Sequence, residues 1–311
     1  SGDDSFAVSP PELTKELTNV TKVPVYLFGL HENNYSYTAR SKNSCHNDSI
    51  PKGDTLDQFQ RAWTATERSR KKSVPWTCSA SVLNPRLDNI KKLDFLLQID
   101  QESAQTTLNM PGLFNLENCL AATAVVSRYH YNRIEELLSP ISKLRLPAGH
   151  MEEVSIGQPF RVIVDYAHTP ESFHATLSCL ADQAQNTGGK LIVVFGSAGG
   201  RDIHKRPLQG YIACQFASLV VLTDEDSREE DPLQIVEQIV SGCTSKKKNT
   251  DIFIEINREV AINYAINAAS PHDVVVLLGK GHENSIIGPT GPRPWNERKV
   301  ALAALHRAGY N

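Results

Sequence analysis

Three times in the second half of this chain an unbroken hydrophobic run ends abruptly in polar residues and glycine. Val162-Ile163-Val164 runs into Asp165-Tyr166-Ala167-His168, and Val193-Val194-Phe195 into Gly196-Ser197-Ala198-Gly199-Gly200-Arg201-Asp202. Val274-Val275-Val276-Leu277-Leu278 runs into Gly279-Lys280-Gly281-His282-Glu283. Continuous β-branched runs are the mark of strands buried on both faces of a parallel sheet. Ligands of open α/β sheets gather outside the carboxyl ends of such strands. The pattern therefore predicts one site assembled from three distant segments.

The order around these runs is regular. Strands are predicted at 161–166, 191–195, 219–223, 252–256 and 274–278. Helices are predicted from Pro170 to Gln185, from Pro207 to Phe216, and at 232–242, 258–269 and 296–307. Alternating β and α units of this length give a doubly wound, largely parallel α/β sheet. Pro170 and Pro232 suit a first helical turn.

Upstream the signal is weaker. A helix is expected from Pro10 to Leu17, a strand over Val23–Leu30, and short strands near Trp76–Leu83 and Asp94–Ile99. Asn33 to Lys72 reads as a polar, irregular stretch of solvated surface. A helix over Asn115–Tyr129 places Leu116, Leu120, Ala121, Ala124 and Val125 on one face, and a second follows from Ile134 to Lys143. Leu146-Pro147-Ala148-Gly149 breaks the pattern, dividing the chain into domains at 1–149 and 150–311.

Composition excludes several classes. A formal charge of −3 argues against a general nucleic-acid or membrane-surface binder. The 6 cysteines include no C-x-x-C pair, so neither paired zinc ligands nor a disulfide framework is indicated. Reduced thiols, no spanning-length apolar run and no signal peptide at Ser1-Gly2-Asp3-Asp4-Ser5 read as a cytoplasmic protein. That start, without an initiator Met, reads as the interior of a longer chain.

The clusters differ in what they offer. Asp165 and His168, just before a helix, suit phosphate oxygens, a metal-bound water or a ribose, or else capping and packing. The 196–202 glycines expose backbone N–H groups able to bind an anion, yet no Gly-Lys-Ser/Thr follows as a Walker A loop requires. Thr223-Asp224-Glu225-Asp226-Ser227-Arg228 combines acids with one arginine. Arg228 can grip a carboxylate, or merely neutralise its acidic neighbours. Gly279 allows close ligand approach, and Glu283 suits an ammonium.

Taken in order, these segments resemble the Mur ligases, most closely the UDP-N-acetylmuramoyl-tripeptide synthetases. The similar blocks are Gly2-Asp3-Asp4, Gly112-Leu113-Phe114-Asn115-Leu116-Glu117-Asn118, Gly149-His150-Met151-Glu152, Asp165 to Pro170, Gly196 to Pro207, Thr223 to Arg228, and Gly279 to Glu283. The resemblance implies the C-terminal part of a central ATP-binding domain, followed by the family's C-terminal domain. It implies an ATP- and Mg2+-dependent ligase. A carboxylate becomes an acyl phosphate, and an amino-acid amine then displaces the phosphate. By position, Asn115, Asn118, Asp165 and His168 would lie near the nucleotide. Arg201, Asp226, Arg228, Gly279 and Glu283 would line the amino-acid pocket. The partners implied are ATP, an amino acid and a carboxylate acceptor such as a UDP-muramoyl peptide, met by a monomer.

This sequence departs from the family at several points. The family's P-loop has no counterpart here, and its magnesium ligands precede the Asp-Asp turn, so no catalytic or metal residue is assigned. His150 stands where the family carries arginine, and Glu225-Asp226-Ser227 differs from its Asp-Asn-Pro. The expectation is a fragment of a ligase, inactive alone. The alternatives are a non-catalytic amino-acid- or nucleotide-binding module, or a ligase similar to folylpolyglutamate or cyanophycin synthetases.

Overall fold

The structure is a computed structural model. It describes residues 92–99, 101–130, 133–245 and 251–311, and the backbone of strands at 7–9, 25–27, 30–31, 36–42 and 77–82. The helix expected over Pro10–Leu17 lies outside the described residues. Contacts divide the chain between Arg145 and Leu146 into two compact units.

The first unit is built on a mainly antiparallel sheet of β1 (Ala7–Ser9), β2 (Val25–Leu27), β3 (Leu30–His31), β4 (Ser36–Lys42), β5 (Thr77–Val82), β6 (Leu93–Ile99) and β7 (Glu102–Leu108). Its order is β1-β2-β4-β5-β6-β7, with β3 paired to β4. β6 alternates cleanly: Leu93, Phe95, Leu97 and Ile99 are buried, as one packed face requires. β4 falls inside the stretch expected to be irregular. Its Ser-Tyr-Thr-Ala-Arg-Ser-Lys sequence carries no apolar run, and pairing with β2 and β5 organises it instead. Helices α1 (Leu113–His130) and α2 (Glu135–Lys143) complete the unit, and Leu116 and Leu120 are buried as expected.

The second unit holds a sheet of β8 (Glu152–Val154), β9 (Arg161–Asp165), β10 (Leu191–Phe195), β11 (Leu219–Leu222), β12 (Asp251–Ile254) and β13 (Val274–Leu278). The order is β12-β11-β10-β13-β9-β8. The five strands read from sequence pair in parallel. β8, which sequence did not announce, is antiparallel at the edge. Every residue of β10 and β13 is buried, which explains their lack of polar alternation.

The connecting helices are α3 (Pro170–Asn186), α4 (Lys205–Phe216), α5 (Pro232–Ser241), α6 (Arg258–Ala268) and α7 (Glu297–Arg307). α3, α4 and α5 pack side by side, and α6 packs on α7. One face of the sheet buries Val162, Val164, Ile192, Val194, Val275 and Leu277 with Ala261, Ile262, Ala265, Ala301 and Leu305 of the α6/α7 layer. Helix starts follow their local chemistry. Thr169 and Ser172 form a capping box ahead of Pro170, and the Asp231 carboxylate accepts the Leu233 N–H ahead of Pro232. After β13 a hairpin of β14 (Ser285–Gly288) and β15 (Gly291–Pro294) precedes α7.

β13 thus lies between β9 and β10 but sends its chain to the α6/α7 side, whereas β9 and β10 lead into α3 and α4. Such a reversal opens a crevice at the carboxyl ends, where all three polar clusters lie.

Candidate functional site

Glycines allow these loops to stack on one another. A Cβ on Gly196 would overlap the Thr223 carbonyl, and one on Gly199 the Ser227 carbonyl. Gly199 N–H donates to the Asp226 carbonyl at 2.8 Å. Gly279, at φ 100°, leaves the space taken by the Glu225 carboxylate. Gly149 and Gly281 meet backbone to backbone. The loops after β10 and β11 therefore touch backbone to backbone, and the Glu225 side chain packs the β11 loop on Gly279 of the β13 loop.

Two buried arginines fix this arrangement from beneath. Arg258, fully buried, pairs with the fully buried Glu297 at 2.6 Å and donates to the Leu278 carbonyl at 2.8 Å and the Asp224 carbonyl at 3.2 Å. Trp295 Nε1 donates to the same Glu297. Arg206, also fully buried, donates to Glu230 at 2.8 Å, Gln238 at 2.6 Å and the Ala198 carbonyl at 2.9 Å. Glu230 in turn accepts the Gly200 N–H at 2.6 Å, and the Arg206 hydrogen bond holds its carboxyl below the ordinary range. Sequence reasoning passed over Arg258 because its partners are distant in the chain, and it took Arg206 as one of the cations after a possible anion-binding loop.

Above these struts lies a chain of charge. Lys280, only 1% exposed, donates to Asp226 Oδ1 at 2.8 Å and Glu283 Oε2 at 2.5 Å. Ile287 N–H also donates to Asp226 Oδ1, at 2.8 Å, and Tyr166 Oη reaches Glu283 Oε1 at 3.4 Å. Asp226, Gly279 and Glu283, expected in one pocket, are thus brought together, with Lys280 as the member the sequence reading did not select. Its place between two glycines at the exit of a buried strand was the available signal. Glu225 was passed over too; it is buried, and burial pushes its carboxyl above the ordinary range against the pull of Arg258, Lys205 and Lys280.

Arg228 adopts φ 55°, and its N–H donates to the Ile287 carbonyl at 2.9 Å. Its side chain runs past Gly200, where a Cβ would stand 3.6 Å from Arg228 Cδ. Its buried Nε has no hydrogen-bond partner. The acids beside it are met otherwise: Asp226 by Lys280, and Asp224 by its Ser227 hydrogen bond and the charge of Arg258. Arg201 follows Gly200 and is exposed.

The residues expected near a nucleotide divide between the units. Asp165 caps its own turn: Oδ2 accepts Met151 N–H at 2.8 Å, and Oδ1 accepts Ala167 N–H at 2.9 Å and Thr176 Oγ1 at 3.3 Å. Burial raises its carboxyl despite these bonds. His168 Nδ1 lies 3.0 Å from the Tyr166 carbonyl, while its own carbonyl accepts from Lys205 Nζ and Gln209 Nε2. The rings of His150, Tyr166, His168 and His282 cluster together. In the first unit Asn115 is buried, its Nδ2 donating to the Pro111 carbonyl at 2.6 Å, and Asn118 is exposed one turn later. Among the described residues no group of three or more His, Cys, Asp or Glu is arranged to hold a metal ion. No helix among them is long and apolar enough to cross a membrane.

Residues 149–281 match the family model described as "Mur ligase, glutamate ligase domain". The UDP-N-acetylmuramyl-tripeptide synthetase of Treponema pallidum is 35% identical over 257 residues, covering 79% of this chain and 48% of that protein. That of Roseiflexus sp. is 42% identical over 210 residues, covering 67% of this chain and 40% of that protein. The chain spans less than half the length of these curated relatives. Among solved structures, a UDP-N-acetylmuramoyl-L-alanyl-D-glutamate–2,6-diaminopimelate ligase aligns with TM-score 0.50 and 22% identity over 99% of this chain and 54% of that one. At that identity the likeness speaks for the fold alone.

Proposed function

Because this chain belongs to the Mur ligase family, we propose that its second unit binds the amino acid whose amine a Mur-type ligase joins to an activated carboxylate. The observation that carries this reading is the Arg228 side chain. It is held on a left-handed backbone beside the glycine loop, and its Nε is buried without a partner. A buried donor left unmet costs about 1–3 kcal/mol, a cost that a bound carboxylate would relieve. A planar guanidinium suits a carboxylate in bidentate fashion, and Arg201 on the neighbouring loop adds a second cation. Asp226 and Glu283, gathered on Lys280, supply negative charge. A zwitterion laid between them has its carboxylate on arginine and its ammonium on the acids.

In the whole ligase, ATP would convert the acceptor's carboxylate to an acyl phosphate. The bound amine, having lost a proton, attacks the acyl carbon; the amide C–N bond forms and phosphate leaves. The residues described here bind and orient the amine component. ATP, a UDP-muramoyl peptide acceptor, magnesium and a cytoplasmic setting belong to this reading through the family. The phosphoryl step needs cationic groups around the transferred phosphate, and these 311 residues contain no Gly-Lys-Ser/Thr segment.

Titration calorimetry with diaminopimelate, lysine and glutamate tests the pocket. One of them should bind the wild-type chain, and Arg228→Ala should weaken it by roughly 1.5–3 kcal/mol, the scale of hydrogen bonds to charged groups. Arg228→Lys should restore only part of the loss, because a point charge cannot reproduce the fork. Equal binding by wild type and Arg228→Ala, or no binding by wild type, would sink the assignment.

A further inference from the structure

Lys280 is buried among the acids of this site, and its two partners are held in the same way. Asp226 gives Oδ1 to Lys280 Nζ and to the Ile287 N–H, and its Oδ2 accepts no hydrogen bond among the described residues. Glu283 gives Oε2 to Lys280 Nζ and keeps Oε1 for no more than the long 3.4 Å approach of Tyr166 Oη. One ammonium therefore anchors one oxygen of each carboxylate and leaves the other oxygen of each unspent. The stem of Lys280 cannot wander, because Gly279 sits under the Glu225 carboxylate and Gly281 against Tyr166 and Gly149.

A surface ion pair would not be built this way. A lysine almost never loses all contact with water unless its charge is matched. Here its charge faces Asp226, Glu283 and Glu225, with Tyr166 beside Glu283 and with Arg258 and Lys205 facing Glu225. Two carboxylates brought this close without a cation between them would repel one another and splay apart. The lysine removes that difficulty and sets the spacing of the pair.

Resting on the amino-acid reading above, we infer that Lys280 is a positioning residue. It holds Asp226 and Glu283 a fixed distance apart, so that Oδ2 and Oε1 together receive the ammonium of the incoming amino acid. Lys280 itself does not touch the ligand.

The test uses the 311-residue chain and, as probe, whichever of diaminopimelate, lysine and glutamate binds the wild type most tightly. Lys280→Ala should weaken that binding roughly ten- to hundredfold, the scale of one or two charged hydrogen bonds. Methylammonium chloride should restore most of the affinity by filling the vacated place, whereas tetramethylammonium chloride, which has no N–H to donate, should not. Lys280→Met, which keeps the apolar stem, serves if the alanine variant does not fold, and should show the same loss without the rescue. Unchanged affinity in both variants overturns the inference and leaves the amino-acid reading standing. If the wild type binds none of the three, the amino-acid reading falls. The lysine's part is then judged by melting temperature: methylammonium should stabilise Lys280→Ala and not the wild type, and the absence of that difference overturns it.

Discussion

A single carboxylate shows what this site costs the fold. Glu225 is buried over Gly279, and burial raises its carboxyl even with Arg258, Lys205 and Lys280 nearby. A group with a raised folded value disfavours its charged form in the native state. That penalty is absent below the unfolded carboxylate range, sets in as pH climbs towards the folded value, and is complete above it. Glu225→Gln should therefore raise the melting temperature at pH 7, with the gain shrinking to nothing as pH falls below the ordinary carboxylate range. Calorimetric scans from pH 3.5 to pH 8, in which each kcal/mol is worth about 2–4 °C for a unit of this size, check the sign. A variant less stable than wild type at pH 7 would contradict it. The same scale shows where sequence reading stopped. The spacing and residue types around Asp226, Arg228, Gly279 and Glu283 were legible, because each stands at the end of a recognisable strand. That Asp226 is matched by Lys280, 54 positions away, was not, since nothing local in either segment encodes the pairing.

At the scale of elements, the five parallel strands and the helices between them follow from unbroken apolar runs and capping residues, and their ends fall within a few positions of expectation. The elements that escaped are those without such a signal. β7 is Glu-Ser-Ala-Gln-Thr-Thr-Leu, a largely polar strand formed because β6 offers it a ladder. β15 is Gly-Pro-Arg-Pro, and two prolines argue against a strand except in an edge position such as a two-stranded hairpin provides. The hairpin matters to the site, because Ile287 of β14 serves both Asp226 and Arg228 through its N–H and carbonyl. The ends of β11 and β13 are likewise tied by Arg258 and Glu297. Removing one partner of a buried ion pair strands the other charge at a cost of about 3–5 kcal/mol. Glu297→Ala should lose that much in urea unfolding, whereas Arg258→Met combined with Glu297→Leu should lose less than Glu297→Ala alone. A Glu297→Ala variant within about 1 kcal/mol of wild type would show that the strut carries little.

On the scale of the molecule, the division at Arg145 and Leu146 predicts that residues 146–311 form a cooperative unit. Expressed alone, they should melt in one transition and bind the same amino acid as the full chain within about threefold, since binding sites that share no groups with a removed segment keep their energies. A molten, non-cooperative fragment would show that the first unit supplies part of this core. The strand order carries a consequence for the order of synthesis. β13, the last of the parallel strands to leave the ribosome, is the one that fits between β9 and β10. Until it arrives, the sheet has a gap one strand wide through its middle, and β9 has only the short β8 to pair with. Pairings that distant in sequence form late because the loop must close before any contact rewards it. A nascent chain halted short of Val274 should therefore stay open to protease, and one carried past Arg307 should become resistant in a single step.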